Sequence, residues 1–430
     1  MAVSTEARGI RRRAALLAGA SALAAPAIAR AQAPKFVVVS HVVHRNVATG
    51  EKGGDSTSPF RAAAGRDVEW LTFGVEAVNE RAFREASLAQ GSVDVAFILD
   101  RFGGPQIANL FEDLGEWQKR DPIEGFDEIS AGMRLAHTHR GKLIGIPYRH
   151  ATHGLFVNDA FAQERGLAGH PKSFEEIVAW TEKLTWTRGD GGQVAGFVTS
   201  MDDPSGMIDV VRAYGGEFVT PEYKVVCDEP GAVAAVTLMR EMFRKRQVPR
   251  NLATIKTEDI ITLMQQGRVA MTNQPYGRFV NYNDPKQSNF AGRISVAPVP
   301  MAASAGGGPA PAKTSVWAMA IPSNARDKAM SWNFIKALSG REATIAAAVN
   351  GNGPVRTSAY ADPRVRELVP YWQAEAATLP NARLVVPGFA NSAKAMDVFM
   401  EEVQAAFLGA KEPLVAMREA KRRCEPLMPT

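Results

Sequence analysis

The hydrophobic positions in the middle of the chain predict two neighbouring strands. Residues 142–147 form a short apolar run that ends in Pro147, which lacks the N–H group that a sheet ladder needs. Residues 154–158 form a second apolar run, and Asn158 is a residue type that caps the start of a helix. We interpret the polar segment 148–153 between the two strands as a hinge, where the chain passes from one lobe to another.

Upstream of this hinge, apolar and polar positions follow each other in the manner of an α/β lobe. The pattern predicts a helix over 76–90 and strands over 36–44, 68–73 and 93–99. A sheet covered by helices on both faces binds ligands at the carboxyl ends of its strands. His41, His44, Asp100 and Arg101 lie at such ends, so we expect them near a binding site.

Downstream of the hinge, alternating helix and strand patterns continue to the end of the sequence. The pattern predicts helices over 257–266, 395–408 and 413–427 and strands over 267–271 and 315–322. The first of these strands leads into a loop that reaches Tyr276, and the second contains Trp317. A glycine-rich turn follows at 351–356.

The order and spacing of these segments resemble the periplasmic solute-binding proteins of ABC importers, in the extracellular solute-binding family that includes the maltose-binding type. Three motifs carry the resemblance. They are the crossover at 142–158, the helix-Gly-Arg-Val-Ala-Met-loop pattern at 257–276, and Gly-Asn-Gly-Pro-Val-Arg at 351–356. Each motif is degenerate, but their ordered series covers nearly the whole chain after residue 33.

The resemblance implies an α/β fold of two lobes, each a central sheet flanked by helices, with hinge crossovers between them. The expected N-terminal lobe is 34–147 with 300–352, and the expected C-terminal lobe is 148–299 with 353–430. The resemblance also implies a monomeric receptor without a cofactor. It captures a sugar or polyol in the cleft and delivers it to ABC permease subunits at the membrane, without catalysis.

Trp317 and Tyr276 are the expected aromatic walls of the cleft, because the C–H-rich face of a sugar ring packs on an aromatic ring. Sugar hydroxyl groups also need polar partners. The candidates for that role are Asp100, Asn273, Asn352, Arg356, Tyr148, Arg149 and His41. Each candidate also has an alternative structural role. A strand Trp usually belongs to a core, an Asn often occupies a turn, and Tyr148 and Arg149 could belong to a solvated hinge.

The N-terminus predicts export from the cytoplasm. Arg11–Arg13 precede an apolar run over 14–28, and Ala31–Ala33 is a small-x-small cleavage site. This order is that of a signal peptide cleaved near Ala33, which places the mature protein in the periplasm. Arg12 and Arg13 resemble the twin-arginine export motif, so the twin-arginine and general secretory routes both stay open.

Charge and cysteine content limit the alternatives. Of the formal net charge of +5, the first 33 residues contribute five arginines and one glutamate, which leaves the rest of the chain near neutral. Nucleic-acid binding requires a concentrated basic surface and is therefore excluded. Only Cys227 and Cys424 are present. They could pair in an oxidising compartment or remain buried thiols, but two isolated cysteines do not make a metal site.

Catalytic motifs are also missing from the sequence. It contains no Gly-x-Ser-x-Gly, His-Glu-x-x-His or Cys-x-x-Cys. His41 and His44 would point to opposite faces of a strand, so we expect no metal site there. Two alternatives remain open. One is a secreted glycan hydrolase, and the other is the same receptor fold with an organophosphate, an amine or a metal chelate as ligand.

Overall fold

The computed structural model describes residues 35–201 and 204–429, so the predicted signal peptide lies outside the described residues. The strands are β1 (Phe36–His41), β2 (Val68–Phe73), β3 (Val95–Leu99), β4 (Thr138–His139), β5 (Lys142–Leu143), β6 (Ile146–His150), β7 (His153–Asn158), β8 (Trp186–Thr187), β9 (Gln193–Val198), β10 (Val269–Pro275), β11 (Ile294–Ala297) and β12 (Val316–Ala320).

The α-helices flank these strands. They are α1 (Val42–Ala48), α2 (Ser58–Ala64), α3 (Val75–Ala86), α4 (Leu114–Arg120), α5 (Ala131–Leu135), α6 (Asp159–Glu164), α7 (Phe174–Lys183), α8 (Ser205–Ala213), α9 (Pro230–Arg244), α10 (Thr257–Gln265), α11 (Phe279–Tyr282), α12 (Lys328–Ser339), α13 (Arg341–Val349), α14 (Pro363–Leu368), α15 (Trp372–Thr378), α16 (Ser392–Phe407) and α17 (Pro413–Cys424). Among the residues that the structure describes, no helix combines the length and hydropathy needed to cross a bilayer.

Two five-stranded sheets organise the described chain. The first has the order β2-β1-β3-β12-β6, with β1 parallel to β2 and β3 and with β12 antiparallel to both its neighbours. The second has the order β11-β7-β10-β9-β8, with β7 antiparallel to β10 and β11 and with β10 parallel to β9. Each sheet has its own hydrophobic core. The predicted two-lobed α/β fold is confirmed.

We call the sheet that contains β1 the first lobe and the sheet that contains β7 the second lobe, each with its core. The first core includes Val355, Tyr360 and Val369, so segment 353–369 packs with the first lobe and not with the second as expected. The second core includes Ala302 and Ala310, so the start of segment 300–352 packs with the second lobe. Apolar packing, not the glycine-rich turn at 351–356, decides where the chain returns.

Three segments therefore connect the two cores. The first crossover is 151–152, the second is 311–315 and the third is 380–385. The first is shorter than the predicted hinge 148–153, because β6 continues to His150 and β7 begins at His153. A short connection of this kind concentrates any backbone rotation between the lobes at few residues.

The predicted strand over 36–44 is wrong in its last three residues. The strand ends at His41, whose Nδ1 accepts a hydrogen bond from the Val43 N–H and caps α1. Helix α1 then buries His44, whose ring stacks on that of Phe97 with centroids 4.5 Å apart. The capping histidine explains why an apolar, β-branched run turns helical at this point.

The second core also settles the state of the two cysteines in this structure. Cys227 and Cys424 are free thiols, and both are fully buried. Burial raises the pKa of each thiol above its ordinary value.

Helix α15 lies behind the hinge and contacts both lobes. Tyr371, which precedes it, packs against both cores, and its ring stacks on Tyr276 of the second lobe with centroids 5.8 Å apart. The Tyr276 hydroxyl donates to the Ala374 carbonyl and lies 2.8 Å from Thr378 Oγ1. Helix α15 and the residue before it therefore bridge the two lobes.

Helix α15 also carries a buried carboxylate. Glu375 is 3% exposed, and its Oε1 lies 3.8 Å from His150 Nε2 on the last residue of β6. Burial raises the pKa of Glu375 to about 7, while a hydrogen bond from Tyr360 and the charge of Arg149 oppose that rise. Burial and the charge of Arg149 lower the pKa of His150 to about 3, so at neutral pH this imidazole is uncharged.

We predict that Glu375→Gln reduces the pH dependence of stability. A carboxyl whose pKa rises from 4.5 to about 7 on folding binds its proton more tightly in the folded chain. The wild-type protein should therefore lose stability as pH rises from about 4.5 to 7, by up to about 3 kcal/mol. Gln carries no charge and avoids this loss. Urea unfolding at pH 5, 6, 7 and 8 measures the effect, with the exposed Glu222→Gln as control. Parallel curves for wild type and Glu375→Gln would contradict it.

We also predict that Tyr276→Ala strongly destabilises the protein. Tyr276 is fully buried, so truncation empties a core site and should lower the free energy of unfolding by about 3–5 kcal/mol. Tyr276→Phe loses only the hydroxyl contacts and should cost about 1 kcal/mol. Equilibrium denaturation of both variants measures the difference. An Ala variant as stable as the Phe variant would show that the ring contributes little to the core.

Candidate functional site

A cavity of about 360 Å³ lies between the two lobes. The first lobe contributes residues 99–102, directly after β3, and the second lobe contributes Pro204 and Ser205 at the start of α8. The second crossover adds 313–315. The remaining wall comes from 385–388 and from one face of α16. Two lobes and two crossovers thus meet around one enclosed space, which is the usual position of a small-molecule site.

Asp100 lines the cavity and also contacts the backbone at the start of β12. Its side chain lines the cavity and is 5% exposed, and its Oδ1 accepts a hydrogen bond of 2.7 Å from the Val316 N–H at the start of β12. Burial raises the pKa of Asp100 to about 6, although the Val316 hydrogen bond and the charge of Lys313 both oppose that rise. The carboxylate is therefore ionised at neutral pH and can accept hydrogen bonds from ligand hydroxyl groups.

Basic groups lie beside this carboxylate. The Arg101 guanidinium carbon is 4.8 Å from the centroid of the Phe102 ring, a cation–π contact on the cavity wall. Lys313 is 8% exposed and lines the cavity from the second crossover. Asp397 of α16 adds a second carboxylate, so the described lining contains charges of both signs.

Asp209, in the interior of α8, holds two crossovers in place. Its Oδ1 accepts a hydrogen bond of 2.6 Å from the backbone N–H of Lys313. Its Oδ2 lies 2.7 Å from His153 Nδ1 and accepts from Asn273 Nδ2 at 2.9 Å. Asp209 is fully buried, so its charge depends on these donors. The position of the cavity-lining residue Lys313 is thereby tied to the second lobe.

Serine hydroxyl groups also line the cavity, and a glycine lies where the two lobes are in close contact. Ser392 is 4% exposed and, with Ser315, places a hydroxyl side chain on the cavity wall. At the rim, Gly388 lies so close to the first lobe that an added Cβ would sit 3.0 Å from the His139 ring and 3.4 Å from the Gly103 carbonyl oxygen. A glycine at 388 therefore allows the two lobes to approach each other here.

Of the nine predicted ligand-binding residues, Asp100 is the one that lines this cavity. Trp317 lies in β12 and belongs to the first core at 9% exposure, with its ring 4.7 Å from that of His44. Tyr276 belongs to the second core. The two rings are thus in opposite lobes, but neither reaches the cavity, since both are used in packing.

His41, Tyr148 and Arg149 surround Trp317 on the first lobe and do not line the cavity. Arg149 is the register partner of Trp317 on β6 and is partly buried. Burial, and secondly the charge of Arg149, lower the pKa of His41. Tyr148 is 3% exposed, and its ring contacts that of Phe97 edge to face. The side chains at the predicted hinge are therefore packed and not solvated.

The remaining three predicted residues are buried and bonded to other parts of the protein. Asn273 donates to Gly206 O and to Asp209, and Asn352 donates to the Tyr148 carbonyl. Arg356 is 1% exposed and donates to the carbonyls of Ser339, Gly125 and Glu124. These bonds give Arg356 a structural role in the first lobe, because its donors are directed at backbone carbonyls.

Sequence reasoning missed most of the cavity lining. The face of α16 at Ala393, Met396 and Met400 has the spacing of a helix stripe that faces a core, so periodicity alone assigns it to packing. Lys313 directly follows an Ala-, Gly- and Pro-rich stretch typical of a connector, and Ser315 begins the strand predicted over 315–322. Arg101, next to Asp100, lies at the strand end where the strand-end rule placed it.

A metal centre has no support in the described part of the chain. It contains no group of three or more His, Cys, Asp or Glu side chains arranged to hold an ion. The ring centroids of His41 and His44 are 6.0 Å apart, and burial lowers the pKa of both.

Comparison with solved structures supports the same architecture. The ribitol complex of an ABC transporter solute-binding protein from Agrobacterium radiobacter K84 superimposes with a TM-score of 0.72 at 22% identity, over 92% of this chain and 99% of the other. The α-D-tagatose complex of an ABC transporter solute-binding protein from Thermotoga lettingae TMO gives 0.74 at 22% identity, over 91% and 99%. Identities this low establish a shared fold.

Sequence comparison is more direct. A protein of Deinococcus radiodurans named "Probable ABC transporter-binding protein" is 25% identical over 244 residues, which are 55% of this chain and 57% of that protein. The chain thus matches little more than half the length of this relative. The sequence profile described as bacterial extracellular solute-binding protein matches residues 56–377, about three quarters of the chain. The chain belongs to the bacterial extracellular solute-binding protein family.

Proposed function

We propose that this chain is the substrate-binding component of an ABC import system that captures a sugar or polyol between its lobes and delivers it to a membrane permease. The observation that carries the proposal is the cavity of about 360 Å³ enclosed by both lobes and two crossovers. Its charged and hydroxyl side chains are two carboxylates, two basic groups and four hydroxyls, which together can donate to and accept from ligand hydroxyl groups. The ribitol and tagatose complexes of proteins with this fold support this ligand class.

Delivery requires the lobes to open and close. The first crossover contains only two residues between β6 and β7, and the second is anchored on one side by Asp209 and on the other by Asp100. Movement of one lobe against the other would therefore bend the chain at the crossovers and change the shape of the cavity. We propose that the protein works outside the cytoplasm, as a monomer and without catalysis.

A thermal-shift screen of the purified mature protein tests the ligand class. A ligand at 100 times its Kd should stabilise the protein by about 2.7 kcal/mol, which is readily detected as a higher Tm. We expect sugars or polyols to produce the shift. A shift with organophosphates, amines or metal chelates alone would replace the ligand class. Products released from a labelled oligosaccharide would show a glycan hydrolase instead.

We predict that ligand affinity falls as pH is lowered from 7.5 to 5. The pKa of Asp100 is about 6, so acidification protonates this carboxylate and removes a charged acceptor from the cavity. Asp100→Asn should bind about tenfold or more weakly at pH 7.5, because hydrogen bonds to charged groups contribute about 1.5–3 kcal/mol. Its affinity should also change little with pH.

Isothermal titration at both pH values measures this effect. The Asn side chain can still accept from the Val316 N–H, so folding should be retained. The fully exposed Asp127→Asn is the matched control and should keep the wild-type profile. An unchanged pH profile in Asp100→Asn would mean that this carboxylate does not contact the ligand.

A further inference from the structure

The two sides of the cavity differ in their chemistry. The side formed by the first lobe and the second crossover contains Asp100, Lys313 and Ser315, which are polar or charged. The side formed by segment 385–388 and α16 is mostly apolar and contains Val386 and Met400, although Ser392 and Asp397 of α16 also line it. Apolar groups thus predominate on this side of the cavity and polar groups on the other.

Three of the apolar residues on this side lie along one helix. Ala393, Met396 and Met400 follow each other at intervals of three and four residues, so they lie on one face of α16. Val385, Val386 and Pro387 extend this face towards the N-terminus of the helix. Methionine side chains are flexible and polarisable, which lets them adapt to hydrocarbon groups of different shape.

Aromatic stacking does not supply the apolar contact here. Phe102 is the aromatic residue among the described cavity-lining residues, and its ring is covered by the guanidinium group of Arg101 at 4.8 Å from the centroid. Trp317 and Tyr276 are packed in the two cores. One face of the Phe102 ring is therefore occupied by a cation, whereas α16 presents Met396 and Met400 to an aliphatic group.

We propose that the ligand is a sugar or polyol that carries a short aliphatic group, such as an alkyl glycoside or an alkyl ether of a polyol. This inference rests on the proposed function of the cavity. The hydroxyl groups contact Asp100 and its polar neighbours, and the aliphatic group packs on Met396 and Met400. The cavity of about 360 Å³ lies at the small end of the range for ligand sites, which favours a short aliphatic group.

Matched ligand pairs test this inference. We would compare methyl and n-butyl glycosides of glucose and galactose, and glycerol with its 1-O-butyl ether, by isothermal titration against the mature protein. Burial of one methylene group favours binding by about fourfold, so the three additional methylenes of a butyl glycoside should improve affinity about tenfold or more. A butyl ligand that binds no more tightly than its methyl or unsubstituted partner would overturn the inference.

Variants assign the effect to the α16 surface. Met396→Gln and Met400→Gln should abolish the advantage of the butyl ligand while the methyl ligand binds as before. Met396→Leu should retain the advantage, because it keeps an apolar side chain at this position. Met330→Gln, on the partly exposed side of α12 in the first lobe, is the control for a methionine outside the cavity. Thermal melting confirms that each variant is folded, and Met396, which is partly exposed, is the more tolerant site.

The outcomes separate this inference from the proposed function. Tight binding of a bare sugar or polyol, with no gain from the butyl group, supports the proposed function and rejects the amphiphilic ligand. A butyl advantage that survives in Met396→Gln and Met400→Gln rejects the α16 surface as its cause. Absence of a response to every sugar and polyol, with or without an aliphatic group, rejects the proposed function and this inference with it.

Discussion

The carboxylate of Asp209 is the interaction on which the relation between the lobes depends. It is fully buried in α8 and is compensated by His153 at the start of β7, by Asn273 on β10 and by the backbone of Lys313. A buried charge is tolerated only when donors surround it, so these three segments must keep their positions together. One side chain thereby fixes the ends of two crossovers to the second lobe and places Lys313 on the cavity wall.

Two further carboxylates are buried near the crossovers. Asp100 accepts a hydrogen bond from the first N–H of β12 and lines the cavity, and Glu375 is buried on α15. Burial raises the pKa of both groups towards neutrality. Burial at the cavity and on α15 therefore favours the uncharged form of both groups.

The packing of Trp317 and Tyr276 explains why these two rings do not line the cavity. Trp317 lies two residues after the cavity-lining residue Ser315, and Tyr276 directly follows β10. Trp317 packs against His44, which α1 turns into the first core, and Tyr276 packs against Tyr371. Both ring positions depend on helices distant in sequence, and neither contact has a local signal.

The sequence by itself determined most element types, the α/β class and the approximate position of the first crossover, because these follow from hydrophobic periodicity and from residues that cap or end local elements. The arrangement in two lobes was implied by the resemblance to the solute-binding family. The sequence also placed Asp100 at the carboxyl end of a buried strand, and in the structure this residue lines a cavity. Tertiary structure alone decided that 353–369 packs with the first lobe and that Arg356 and Asn273 bond inward. It also decided that α16 turns two methionines towards a cavity. A helix stripe that faces a core and one that faces a ligand have the same period, so only the packing of distant segments distinguishes them.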